Sequence, residues 1–196
     1  MKIQKYDPRI DIVQEIENKG SFQIVSLGDH CLIAKYLSFG GLRNCSYPFD
    51  WIESSAQMIL HCLKDDFQSY LKLDAGIFYG NMIGKEIFHH HDVKQSLDYH
   101  KRCVERFKNL QYRKQKAFVA TCYWIEVPIW EEIAMILKSK YIIVCPIHII
   151  CLKCNSKFSS DMIHIYHWHD VKTSRADLSK EDQTKFLNFF HDEVLK

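Results

Sequence analysis

The sequence predicts a single α/β domain over residues 1–196, built on a mostly parallel sheet of about four or more strands flanked by helices. Runs rich in β-branched and aromatic residues alternate with amphipathic helical patterns, which favours parallel strands joined by helices. The length of 196 residues fits one domain, and the 47% hydrophobic content excludes a disordered chain. The predicted strands lie near residues 22–27, 117–123, 141–150 and 162–168.

The first third of the chain alternates helix, strand and helix. Asp7 precedes a proline, and this pair begins a helix that Gly20 ends. The apolar strand 22–27 follows. A turn at Gly28 then leads into a helix over residues 29–39, in which large apolar residues recur at helical spacing.

The middle third is mainly helical. Ser54-x-x-Gln57 resembles a capping box and opens a helix, and residues 67–71 continue the apolar pattern in a second short helix. Residues 73–91 contain three glycines and are predicted to form a loop. A long amphipathic helix over 93–110 follows, with its lysines facing solvent.

The last third returns to strands. Pro128 starts a helix between two of the predicted strands. The β-branched run 141–150 contains Pro146, which indicates a strand end or a bulge there. The alternating run 162–168 predicts another strand, and Ser179 caps a final helix.

Cys31 occupies the position in this pattern where chemistry is most expected. In parallel sheets, ligands bind at the carboxyl ends of strands, and Cys31 follows the first strand at the start of a helix. Backbone N–H groups and the helix dipole at such a position lower the pKa of a cysteine and favour the nucleophilic thiolate. The alternative is that Cys31 is a small buried core residue.

Several short motifs surround this cysteine along the chain. They are Val25-Ser-Leu-Gly-Asp-His-Cys31, Gly41-Leu-Arg43, Ser46-Tyr-Pro-Phe-Asp-Trp-Ile52, Phe88 with His91-Asp92, and Arg106-Phe107. Together they resemble the signature of a bacterial and viral family described as putative papain-like cysteine peptidases. The resemblance implies a cysteine hydrolase. It also implies an α+β papain-like layout, which is the alternative to the α/β fold.

The resemblance implies a catalytic set around the thiol. Cys31 is the nucleophile and His91 its base, with His90 as the second candidate because the chain carries three consecutive histidines. Asp92 or Asp50 orients the imidazole, as a cysteine–histidine pair usually requires a third group. The site then combines the turn and helix of residues 26–51 with the loop of residues 74–92.

Other residues near the turn are assigned to substrate binding. Backbone N–H groups from Asp29 to Cys31 are suited to an oxyanion hole. For Asp50, binding to Arg43 and capping of a helix that begins at Ile52 are alternatives to orienting a histidine. The substrate-binding candidates are Gly28, Asp29, His30, Arg43 and Trp51.

Composition narrows the classes of partner. The net charge of +2 favours neither side, but the lysines are scattered rather than clustered, which argues against a nucleic-acid surface. No apolar run is long enough to span a membrane, and the N-terminus does not resemble a secretory signal. Eight cysteines without such a signal predict a cytoplasmic protein with thiols rather than a disulfide framework.

No cofactor or metal is expected. Cys151-x-x-Cys154 followed by His164-x-x-His167 is a poor match to zinc spacing, and the two histidines point to opposite faces of a strand. The sequence leaves open the oligomeric state and whether the substrate is a protein or another amide or ester. A non-catalytic binding module that uses the same cleft is the alternative function.

Overall fold

The structure is a computed structural model of the whole chain. It describes residues 22–28, 31–70, 93–112, 116–123, 125–141, 146–152, 158, 160–168 and 180–195. The predicted helix from Asp7 and the predicted loop 73–91 lie outside the described residues.

A four-stranded sheet forms the centre of the molecule. All three pairings are parallel, and the strand order is β1-β2-β3-β4. The described residues therefore confirm the α/β fold with a parallel sheet and do not show the alternative α+β layout. The strands are β1 Gln23–Ser26, β2 Lys116–Cys122, β3 Ile147–Cys151 and β4 Ile163–His167.

Helices cover both faces of this sheet. Side chains alternate between the faces along each strand, so two separate cores form. One core packs against α2, α3 and α4, and the other packs against α1 and α5. The helices are α1 Leu32–Phe39, α2 Ala56–Lys64, α3 Val93–Asn109, α4 Val127–Tyr141 and α5 Lys180–Phe189, which continues as a π-helical turn, Phe190–Val194.

The sequential strand order explains where the connecting helices lie. Parallel strands joined by crossovers of one hand, each added to the same side of its predecessor, place the crossover helices on one face. Here α2 and α3, in the connection from β1 to β2, and α4, between β2 and β3, contribute to one core, whereas α1, which directly follows β1, packs on the other face. The carboxyl ends of all four strands consequently lie along one edge of the sheet.

The predicted strand 141–150 is wrong at its first residue, and residues 142–145 lie outside the described residues. Tyr141 ends α4, where it is fully buried and packs edge-on against Phe107. Aromatic packing in the core therefore overrides the local strand propensity of Tyr141. Pro146 directly precedes β3, a position at the start of a strand where the missing N–H is tolerated.

The second short helix predicted over residues 67–71 is also wrong as far as it is described. Asp66 and Phe67 adopt φ values of +53° and +63°, which an α-helix does not accommodate. The conformation lets Phe67 turn into the core, where it packs against Phe49 and Phe107. The remaining predicted strands, near 22–27, 117–123 and 162–168, are confirmed.

Candidate active site

The turn after β1 has a backbone geometry that requires glycine. Gly28 adopts φ +98°, and a Cβ atom placed on it would lie 1.8 Å from Oγ of Ser54. A positive φ is strained for residues with a side chain, and 1.8 Å is far inside van der Waals contact. The glycine predicted for this turn is therefore needed both for its backbone conformation and for its lack of a side chain.

Hydrogen bonds from two other segments hold the same turn. The carbonyl of Gly28 accepts from the N–H of Thr121 at 2.8 Å and from the Thr121 hydroxyl at 3.2 Å. The hydroxyl of Ser54 donates to the carbonyl of Leu27 at 3.4 Å. The N–H of Gly28 donates to the Ser26 hydroxyl at 3.4 Å. The backbone that leads to Cys31 is thus fixed from β2 and from the segment before α2.

Cys31 stands at the N-cap of α1. Its carbonyl accepts the first helical hydrogen bond, from the N–H of Lys35 at 3.0 Å, and its side chain caps no backbone group. The side chain is partly exposed. The thiol therefore lies at the positive end of the α1 dipole, which favours a negatively charged group.

The cysteines differ in exposure. Among those the structure describes, Cys31 and Cys45 are partly exposed, whereas Cys62, Cys103 and Cys122 are buried. Burial raises the pKa of Cys103 to about 12, so this thiol is a poor nucleophile at neutral pH. Cys31 and Cys45 are the described thiols that a reagent can reach. Cys151 is disulfide-bonded, an exception to the expected thiols, whereas the other five described cysteines are free.

Arg43, which is partly buried, forms an ion pair with the buried Asp50. One carboxylate oxygen of Asp50 accepts from Nε and from a terminal nitrogen of Arg43, at 3.2 and 2.9 Å, and from the N–H of Tyr47 at 3.0 Å. Burial of Asp50 raises the pKa of its carboxyl, and the Arg43 charge opposes that rise. Of the three interpretations of Asp50, the structure shows binding to Arg43. The cap of α2 is instead Ser55, which accepts from the N–H of Met58 at 3.2 Å.

The residues around this ion pair are fully engaged with the fold. Arg43 also donates to Ser46 at 2.6 Å, and its guanidinium lies 5.1 Å from the ring centroid of Trp51. Ser46 in turn hydrogen-bonds Tyr99 of α3. The Gly-Leu-Arg and Ser-x-Pro-Phe-Asp-Trp motifs therefore fold into one polar cluster that packs against α3.

This cluster is anchored at the amino end of β1. The side-chain amide of Asn44 donates to the carbonyl of Phe22 at 3.2 Å, and the Tyr47 hydroxyl donates to Oε1 of Gln23 at 3.1 Å. Cys31 follows the carboxyl end of the same strand. The contacts of Arg43, Asp50 and Trp51 thus support a structural role, and a different set of residues holds the Gly28 turn that precedes Cys31.

Five predicted site residues lie outside the described part of the chain. They are Asp29, His30, His90, His91 and Asp92. Their roles as base, orienting acid and oxyanion hole stay predictions. Gly28 and Cys31 lie together at the turn, as strand–turn–helix patterning predicts.

Sequence reasoning missed Ser54 and Thr121. Both are fully buried or nearly so and both hold the turn, yet each is distant from it in sequence. The local pattern predicts a capping box at Ser54, which is wrong because Ser55 caps α2. The same pattern makes Thr121 an ordinary strand residue. Only the register of β1 against β2 brings Thr121 to Gly28, so no local pattern identifies it.

Two further findings concern metal binding and membrane-spanning helices. Among the described residues, no group of three or more His, Cys, Asp or Glu side chains is arranged to hold a metal ion. No helix in the described ranges is long and apolar enough to cross a membrane.

Comparison with known proteins gives one family. The family model described as putative papain-like cysteine peptidase (DUF1796) matches residues 22–125. This range contains β1, the Gly28 turn, Cys31, the Arg43–Asp50 cluster and β2. No curated protein and no solved structure matches the chain.

Proposed function

The chain belongs to the putative papain-like cysteine peptidase family, and from this membership we propose that it is a thiol-dependent acyl hydrolase with Cys31 as the nucleophile. The observation that carries the proposal is the position of Cys31. It is a partly exposed thiol at a helix N-terminus, within the matched range, and it follows the carboxyl end of a parallel strand, where sheets of this kind commonly bind ligands.

The proposed reaction follows the chemistry of a cysteine–histidine pair. His91, or His90, takes the proton from Sγ of Cys31, and the thiolate attacks the carbonyl carbon of the substrate. Backbone N–H groups from Asp29 to Cys31 stabilise the oxyanion that forms. The histidine then protonates the leaving amine or alcohol. Water, deprotonated by the same histidine, hydrolyses the thioester and restores the thiol.

Asp92 is the better candidate for orienting the imidazole. Asp50 already accepts three hydrogen bonds from Arg43 and Tyr47, and these contacts support a structural role for it. Asp92, by contrast, is adjacent in sequence to the preferred base, His91. We accordingly assign Arg43 and Trp51 to stabilising the fold, and the residues of the turn to binding the substrate.

Competitive alkylation of Cys31 and Cys45, the partly exposed thiols among the described residues, tests the proposal. We expect a limiting amount of iodoacetamide at about pH 6 to label Cys31 much faster than Cys45, as mapped by peptide mass spectrometry. Cys31→Ala removes the fast-reacting thiol, and Cys45→Ala, the matched control, leaves it unchanged.

The alternative function, a binding module that uses the same edge of the sheet, predicts a different result. A binder needs no activated thiol. Cys31 and Cys45, which are both partly exposed, would then react with iodoacetamide at similar rates. Equal rates in a folded protein would therefore contradict the hydrolase proposal.

A further inference from the structure

The helix α5 and the π-helical turn that follows it cover the face of the sheet opposite to α2 and α4. They lie beyond the family-matched residues 22–125. Phe189 of α5 packs on Tyr166 at 4.8 Å and on Trp168 at 5.2 Å between ring centroids. Phe186 stacks on Tyr36 of α1. The helix α5 thus rests on β4 and on the helix that starts at Cys31.

A chain of hydrogen bonds links the end of this cover to a buried histidine. Tyr166 is hydrogen-bonded to Glu193 in the π-helical turn, and its hydroxyl oxygen lies 3.1 Å from Nδ1 of His148 in β3. A carboxylate only accepts, so the Tyr166 hydroxyl donates to Glu193 and accepts from Nδ1–H of His148. Nδ1 of His148 therefore carries a proton, and in the neutral imidazole a second proton can be added only at Nε2.

The surroundings of His148 disfavour that further proton. Its side chain is only 3% exposed. Its neighbours in the sheet are Val119 of β2, which is apolar, and His164 of β4, whose ring centroid lies 5.8 Å away. Phe189 covers it from α5. Burial, with a smaller contribution from His164, lowers the pKa of His148 from 6.5 to about 4.

We propose that α5 and its π-helical turn form a pH-sensitive cover, held on the sheet by the chain Glu193–Tyr166–His148 and loosened when His148 gains a proton. Protonation places a charge between the sheet and the cover, where the His148 side chain is almost fully shielded from water and, among the described residues, faces Tyr166 and, through it, Glu193. Lifting the cover returns the imidazole to water.

The size of the effect follows from linkage. Uncovered His148 titrates at its ordinary pKa of 6.5, and covered His148 at a pKa of about 4. Between these values the equilibrium for covering falls about 10-fold per pH unit, or about 300-fold in all, and above the ordinary pKa it is constant. Since Phe186 packs on α1, loosening also relaxes the helix that presents Cys31; this last step rests on the proposed function.

Hydrogen exchange of the full chain tests the cover directly. Protection factors, corrected for intrinsic exchange, are measured by mass spectrometry between about pH 7.5 and about pH 4.5. We expect amides of residues 186–195 to lose protection about 10-fold per unit below about pH 6.5, while amides of β2 keep theirs. His148→Asn keeps a donor towards Tyr166 but does not titrate, so it flattens the dependence. His191→Gln, an exposed histidine in the same turn, leaves it unchanged.

An unchanged slope in His148→Asn would overturn the proposal, as would equal loss of protection in β2 and residues 186–195. A histidine NMR titration of the wild-type protein needs no variant. One imidazole should stay neutral well below about pH 6, and titration of every histidine near the ordinary value would also overturn it. None of these readouts involves Cys31 reactivity, so failure of the cover and failure of the hydrolase proposal are distinguishable.

Discussion

Gly28 shows how a single residue joins the fold to the site. Its positive φ turns the chain from β1 towards α1, and its missing side chain leaves room for the Ser54 hydroxyl. A glycine at the end of a strand predicts the turn from sequence alone. The contact with Ser54 is not predictable, because the two residues meet only when the segment before α2 packs against the end of β1.

Replacement of Gly28 tests two requirements at this position, the positive φ and the space occupied by the Ser54 hydroxyl. We expect Gly28→Ala to lower the free energy of unfolding by roughly 2–5 kcal/mol, from the left-handed backbone and from overpacking against Ser54. Gly41 is the matched control, since its φ is +67° but no atom lies within 4 Å of an added Cβ. Gly41→Ala should cost only the backbone contribution, roughly 1–2 kcal/mol.

Urea unfolding of both variants and of Gly28→Ala/Ser54→Gly measures the difference. The double variant removes the clashing hydroxyl, so it should recover the part of the loss due to overpacking. Equal losses in Gly28→Ala and Gly41→Ala would show that the close approach of Ser54 is not a constraint.

The Arg43–Asp50 ion pair gives a second prediction for single residues. Arg43→Met leaves the Asp50 carboxylate buried without its cation, which we expect to cost roughly 3–5 kcal/mol at about pH 7. Burial raises the pKa of Asp50, so the folded protein holds this proton more tightly than the unfolded chain. Arg43 opposes this rise, so its removal raises the pKa of Asp50 further and acidification stabilises the variant more than the wild-type protein. The deficit of the variant should therefore shrink between about pH 7 and about pH 5.

Unfolding of Arg43→Met and of Arg43→Met/Asp50→Asn at both pH values checks this expectation. The double variant removes the buried charge and should be more stable than the single variant at neutral pH. A single variant whose deficit grows on acidification would contradict the raised pKa of Asp50.

At the scale of elements, β2 supports the turn that carries the thiol. Periodicity predicts the strand, but the pairing of β1 with β2 decides that Thr121 faces Gly28. The error at Tyr141 has a related cause, since a β-branched run does not reveal that its first residue completes a helix packed on Phe107. Pairing and packing between distant segments are thus the parts that local patterns leave undetermined.

Thr121 offers a test of this support. Thr121→Val keeps the shape and the backbone N–H bond but removes the hydroxyl donor to Gly28, and we expect a loss of about 1 kcal/mol. Thr121→Ser keeps the hydroxyl and should retain that bond. Thermal unfolding combined with hydrogen exchange at residues 26–28 measures both effects; faster exchange in Thr121→Ser than in Thr121→Val would contradict the assignment.

At the scale of the whole molecule, the parallel sheet with helices on both faces brings the strand ends to one edge. Alternation of β-rich runs with amphipathic helices predicts this architecture. The motifs predict the family, whose model covers β1 to β2. The His148–Tyr166–Glu193 chain is not predictable from local patterns, because its three residues come from three elements and carry no motif. The catalytic histidine stays a prediction, since His90 and His91 lie outside the described residues.

The most direct test of Cys31 as an activated nucleophile is its rate of alkylation by iodoacetamide at about pH 6 in His91→Ala and His90→Ala. If one of these histidines is the base that activates the thiol, its removal should slow alkylation of Cys31 about 10-fold or more, and Cys45 should react as in the wild-type protein. The other variant should resemble the wild-type protein. Unchanged alkylation of Cys31 in both folded variants would contradict a histidine-activated thiol.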